Sequence, residues 1–119
     1  MAGIQPGNLT QALESADSGD TLELEPGLFT GHYRIDTSLT LQGSPGTIID
    51  GGGEDTILTI AAPEVLVEGL LLRNSGDNLT DHDSAIFVAE TARDTHIHAN
   101  RIQANGFEIW IDSIKGPGI

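Results

Sequence analysis

A chain of 119 residues holds one domain, and its 18 acidic against 5 basic side chains give a formal charge of −13, which repels phosphate backbones and anionic lipid and argues against nucleic-acid binding. With no cysteine, disulfides, thiolate metal sites and a cysteine nucleophile are excluded. No apolar run nears the ~18 residues of a spanning helix, which excludes membrane insertion by that route.

The first element is a helix. In "GNLTQALESADSGD", Asn8 or Thr10 can cap, Leu9, Ala12, Leu13 and Ala16 share one face, and Gly19 stops the run, predicting an amphipathic helix over about 8–17. Residues 1–7 ahead of it lack the basic and apolar regions of a signal peptide. Everything after the helix reads as strand. Apolar positions alternate with period two at Leu22 and Leu24, Leu39 and Leu41, Leu58 and Ile60, Val65 and Val67, Ile86 and Val88, and Ile109 and Ile111, with Gly, Asn, Asp and Pro between them. The stretch "LTLQGSPGTIIDGGGEDTILTI" packs strands near 39–42, 47–50 and 57–60 between glycine-rich corners.

The strands repeat. Laying "VLVEGLLLRNS" over "THIHANRIQAN" sets Val67 on Ile97, Leu70 on Asn100, Leu72 on Ile102 and Ser75 on Asn105. Ile86, Phe87 and Val88 fall on Ile109, Trp110 and Ile111, while Leu39 and Leu41 fall on Val65 and Val67. The spacing of equivalent strands changes only through the corners between them. A three-strand unit that stacks on its copies and lengthens at its corners is one rung of a solenoid. The fold predicted is all-β: a right-handed parallel β-helix of about four rungs over 21–114, with an N-terminal capping α-helix, in a single domain spanning 1–119. Leucine, isoleucine and valine stack inward. Gly43, Gly69, Asn74, Asn100 and Asn105 are the corner residues expected to accept left-handed backbone, and stacked asparagines can hydrogen-bond along the axis.

The segments "SGDTLELEPGLF", "LTLQGSPGTIIDGGG", "VLVEGLLLRNSG" and "HIHANRIQANGFEIWID" resemble amino-terminal rungs of β-helix proteins of pectin-lyase-like architecture, and within them the NosD family. That resemblance implies a periplasmic, non-catalytic accessory protein that works with an ABC transporter in assembling the copper-sulfur centre of nitrous oxide reductase. It also implies a fragment, since family members carry further rungs.

Residue chemistry offers competing sites. Polysaccharide lyases of this architecture need acids facing a basic residue, and hydrolases need opposed carboxylates; here Arg34, Arg73, Arg93, Arg101 and Lys115 are scattered, Asp50 of "IIDGGG" reads as structural, and no catalytic residue is assigned. For metal, "TDHDS" gathers Asp81, His82 and Asp83 in a polar insertion, while "THIHAN" sets His96 and His98 on one outward face near Glu68. Imidazole and carboxylate suit copper, zinc or nickel, and weak copper binding is the most these patterns predict; no cofactor is expected. Phe87 and Trp110 alternate with inward neighbours and so face outward on adjacent rungs, with Asp112 in an acidic rim. Such a patch marks a partner or carbohydrate contact, and a carbohydrate-binding or carbohydrate-active module is the alternative function. The tail "DSIKGPGI" cannot form a second cap, which predicts self-association through an uncapped C-terminal rung.

Overall fold

The computed structural model of the protein describes residues 3–112. The helix α1 (Leu9–Ser15) leads into four rungs of three short strands: β1 (Thr21–Glu23), β2 (Gly27–Thr30) and β3 (Tyr33–Ile35); β4 (Thr40–Gln42), β5 (Thr47–Asp50) and β6 (Leu58–Ile60); β7 (Leu66–Glu68), β8 (Leu71–Arg73) and β9 (Ser84–Val88); β10 (His96–His98), β11 (Arg101–Gln103) and β12 (Phe107–Ile111). Equivalent strands pair in parallel into three four-stranded sheets, ordered β1-β4-β7-β10, β2-β5-β8-β11 and β3-β6-β9-β12. This is a short parallel β-helix. The register pairs Val67 with Ile97, Leu72 with Ile102 and Ile86 with Ile109, so the repeat read from the sequence is the repeat of the backbone. Lys115 and the tail beyond Asp112 lie outside the described residues, as does the end of the predicted rung region at 114.

Inward side chains form continuous columns. Leu41 and Val67 are fully buried, as are Phe29, Ile49 and Leu72, and Ile35 and Ile60. A fully buried Val, Leu or Ile contributes about 1.5–3 kcal/mol relative to exposure, so the columns dominate the stability of strands too short to stand alone. On the fourth rung Ile109 and Ile111 are 39% and 50% exposed, because β12 has a described neighbour on one side. The strands β2 and β3 were not among the alternating pairs in the sequence, although Phe29 is the largest fully buried side chain.

Two local expectations are corrected. The helix is shorter than 8–17, and Asn8 makes no side-chain cap: its φ of −107° and ψ of −5° are helical rather than the extended geometry a capping side chain needs. The first turn instead closes through the backbone, Ala12 N–H donating to Asn8 C=O at 3.0 Å. Leu9 is fully buried, and Leu13 and Ala16 pack on the core, so α1 covers the first rung as predicted. Ile4 bridges Leu24 in parallel beside it.

The second correction concerns corners. Gly69 and Asn74 do hold left-handed backbone, but Gly43, Asn100 and Asn105 do not; Ala99, Asp55, Glu64, His82 and Asp94 do. Ala99 precedes Asn100 at the site equivalent to Gly69, and Asn100 is used for its side chain. Its Nδ2 donates to Val67 C=O at 2.9 Å and its Oδ1 accepts from Leu70 N–H at 3.0 Å, the cross-rung bonding expected of stacked asparagines. Gly43 is required for a different reason: a Cβ there would overlap the Gly69 carbonyl oxygen.

Candidate functional site

On the sheet β3-β6-β9-β12 the outward positions line up as Arg34, Thr59, Phe87 and Trp110. The corner between β8 and β9, residues 74–83, is the longest in the solenoid, and it folds over this face. Its shape is set by two side chains. Asp83 is only 6% exposed; its Oδ2 accepts from Asn78 N–H at 3.0 Å and lies so close to Gly76 that a Cβ there would overlap it. Asn78 Oδ1 accepts from Thr80 N–H at 3.1 Å and Asp81 N–H at 3.2 Å, and its Nδ2 donates to Asp81 Oδ2 at 2.8 Å. A short polar side chain bonding backbone one to three residues on is what rounds such a corner.

This corner delivers His82, at a left-handed φ of 60°, onto the aromatic column. The imidazole lies 4.2 Å from the Trp110 ring with 9° between planes, and 6.4 Å from Phe87 at 24°. Phe107 tilts against Trp110 at 4.8 Å. Phe87 and Trp110 therefore do face outward, yet both are half-buried rather than bare. Trp110 Nε1 is enclosed without a hydrogen-bond acceptor among the described residues, an uncompensated donor of the kind that costs roughly 1–3 kcal/mol. A sugar ring could stack on the indole face that His82 covers only if the imidazole moved aside. Asp112 follows directly, its N–H donating to Val88 C=O at 2.8 Å.

The other sequence candidates are dispersed. Asp81, His82 and Asp83 are consecutive but turn apart: Asp81 is bonded to the Asn78 amide, His82 stacks, and Asp83 is buried inside the corner. His96 and His98 are exposed on β10, in another sheet. His98 is in register with Glu68, whose Oε2 accepts from Gln42 Nε2 at 2.9 Å. Among the described residues no three His, Asp or Glu side chains converge as a metal-ion site.

The basic residues weighed for catalysis are partly committed. Arg34 Nε sits 2.7 Å from Asp36 and Arg73 Nε 2.9 Å from Asp50. The Asp50 carboxyl is held below the usual carboxylate range, first by the Gly52 N–H, then by Arg73, with Asn74 adding to both against the opposing effect of burial. From Asp50 a polar ladder runs up the corner: Asn74 Nδ2 donates to Asp50 Oδ1 at 3.1 Å and Asn105 Nδ2 to Asn74 Oδ1 at 3.1 Å. Asp50 is thus a rung-joining residue. A groove of 400 Å³ between α1 and β3, lined by Leu13, Glu14, His32, Tyr33, Arg34 and Asp36 among others, was not foreseen. Burial pushes the Tyr33 phenol up, and His32 Nε2 lies 2.6 Å from Glu54 C=O.

No family model matches the chain. Among curated proteins it is similar to a "Probable ABC transporter binding protein NosD" of Pseudomonas aeruginosa, 40% identical over 104 residues, covering 87% of this chain and 24% of that protein. A protein of the same name from Stutzerimonas stutzeri is 33% identical over 114 residues, covering 96% of this chain and 26% of its own length. A third, again from Pseudomonas aeruginosa, is 32% identical over 90 residues, 75% of this chain and 80% of that protein. The chain spans about a quarter of the length of the first two relatives.

Proposed function

The chain belongs to the NosD family, and from that premise we propose that it forms part of a longer solenoid that works outside the cytoplasm as a non-enzymatic partner of an ABC transporter. In this reading the assembly serves maturation of nitrous oxide reductase, helping to build its copper-sulfur centre. The observation that carries the proposal is the 40% identity over 87% of the chain to a protein named for binding an ABC transporter. The docking surface is the aromatic face of Phe87 and Trp110 with Asp112 at its edge, since half-buried aromatics on a rigid sheet are the usual anchors of protein contacts. The exposed Ile109 and Ile111 of the fourth rung are where the next rung of that longer solenoid stacks, and in the 119-residue chain by itself they are a second contact, through which copies self-associate.

Deletion of the gene in a denitrifying host tests the role. The reductase purified from the deletion strain is expected to lack the copper-sulfur centre and its absorption while keeping its fold. A reductase with full copper and sulfur content would overturn the assignment. Capture of the transporter by the intact protein, weakened by Phe87→Ala, tests the docking surface separately.

A further inference from the structure

Resting on the reading of the Phe87 and Trp110 face as the docking surface, we infer that His82 is a built-in occupant of it. The imidazole holds the place of a planar cation, an arginine guanidinium presented by the protein partner, and swings aside to admit it.

Four observations meet at this point. First, the geometry of the stack, 4.2 Å and 9° from coplanar, is the one in which a flat guanidinium rests on an indole face. Second, the surroundings are acidic. Asp77 and Asp81 lie in the corner, Glu108 and Asp112 on or beside β12, and β9 carries no charged residue; the one cation of the outward column, Arg34, lies two rungs from Phe87 and is paired with Asp36, and the chain as a whole has a charge of −13. A cationic partner is the complementary one.

Third, the corner keeps its shape without the imidazole. The described hydrogen bonds of residues 78–82 all end within 78–84: Asn78 to Thr80, Asp81 and Asp83, His82 N–H to Leu79 C=O, and Ser84 Oγ to His82 C=O. None of these bonds uses the His82 imidazole, and those to Asp83 and Ser84 fasten the tip to β9, so swinging the imidazole aside about its Cα–Cβ bond parts ring stacking while the corner keeps its hydrogen bonds. Fourth, the closed state holds an unfavourable feature, the Trp110 Nε1 donor without an acceptor among the described residues. An arriving peptide relieves it, because its backbone carbonyl can accept from Nε1 once the imidazole has gone.

Trp110 is the single tryptophan, so its fluorescence reports the site in the intact chain. The probes are glycyl-arginyl-glycinamide and glycyl-lysyl-glycinamide, equal in charge and unlike in planarity. The arginine peptide is expected to bind wild type at least threefold more tightly than the lysine peptide. His82→Ala should lower its Kd at least threefold further, and His82→Phe, which keeps a ring in place, should leave the Kd at or above wild type. Circular dichroism of both variants confirms the fold. Equal Kd values for wild type and His82→Ala overturn the inference, as does a lysine peptide that binds as well as the arginine one. Transporter capture by the intact protein separates the two readings. Capture lost in Phe87→Ala but unchanged in His82→Ala, with unchanged peptide affinity, leaves the docking surface standing and removes the latch. Capture unchanged in Phe87→Ala removes the docking surface itself.

Discussion

Gly69 and Ala99 occupy the same corner of successive rungs and both hold left-handed backbone, with φ of 73° and 55°, joined by a hydrogen bond from Gly69 N–H to Ala99 C=O at 3.2 Å. One corner geometry is thus filled by a residue that accepts it freely and by one that does not.

Ala99→Gly is therefore expected to stabilise the protein. Left-handed backbone costs an L-residue roughly 1–2 kcal/mol, and glycine returns part of that through its freer unfolded chain, leaving a net gain of about 1 kcal/mol or a few degrees in Tm. Gly43→Ala should do the opposite, by roughly 3 kcal/mol, because its Cβ would overlap the Gly69 carbonyl oxygen. Calorimetry of both variants checks the pair, and a destabilised Ala99→Gly would show the alanine methyl to be worth more than the strain.

Asp50 makes a prediction in pH. Its folded pKa is depressed by Gly52 N–H and Arg73, so the stability it contributes is present above the ordinary carboxylate value near 4 and is lost as pH falls through the lower folded value. Asp50→Asn should lower stability at pH 7 and flatten the decline below about pH 4. Urea midpoints from pH 7 to pH 3 give the test; parallel curves for the two proteins would contradict the depressed carboxyl.

The rungs were legible because a strand buried on one face must alternate with period two, and pairs such as Val67 with Ile97 then align. The first rung was less so. Phe29 and Ile35 lie in runs of three or four residues bracketed by Gly27, Gly31 and His32, too short to show a period. The left-handed corners escape the sequence for a related reason: asparagine advertises left-handed backbone, whereas Ala99 carries no such signal and Asn100 serves through its side chain. Of the site, the outward placement of Phe87 and Trp110 followed from alternation. The stacking of His82 did not, because it depends on how Asp83 and Asn78 curl a ten-residue corner back over the sheet.

For metal, His96 and His98 are the pair to examine, exposed on β10 with Glu68 in register beside His98. Two imidazoles on a strand provide too few fixed donors for a tight site, so calorimetry with copper(II) or nickel(II) should give dissociation constants above about 1 μM, in the range where binding releases no more than about 8 kcal/mol. Submicromolar affinity, abolished by His96→Ala with His98→Ala, would turn this edge into a metal site.

Salt should strengthen both the fold and its self-association. A charge of −13 on 119 residues repels within one copy and between copies, and salt at 0.15 M screens that repulsion beyond ~8 Å. Burial of Ile109 and Ile111, 39% and 50% exposed on the fourth rung, acts only at contact and survives screening. Raising potassium chloride should therefore lift Tm and shift the protein from monomer toward dimer together. Light scattering across protein and salt concentration reads the second effect. Ile111→Asp, which adds charge at the contact while leaving the buried columns of the first three rungs intact, should abolish the dimer but keep the gain in Tm. A strict monomer at high protein and high salt would remove the contact, and a dimer untouched by Ile111→Asp would place it elsewhere on the solenoid.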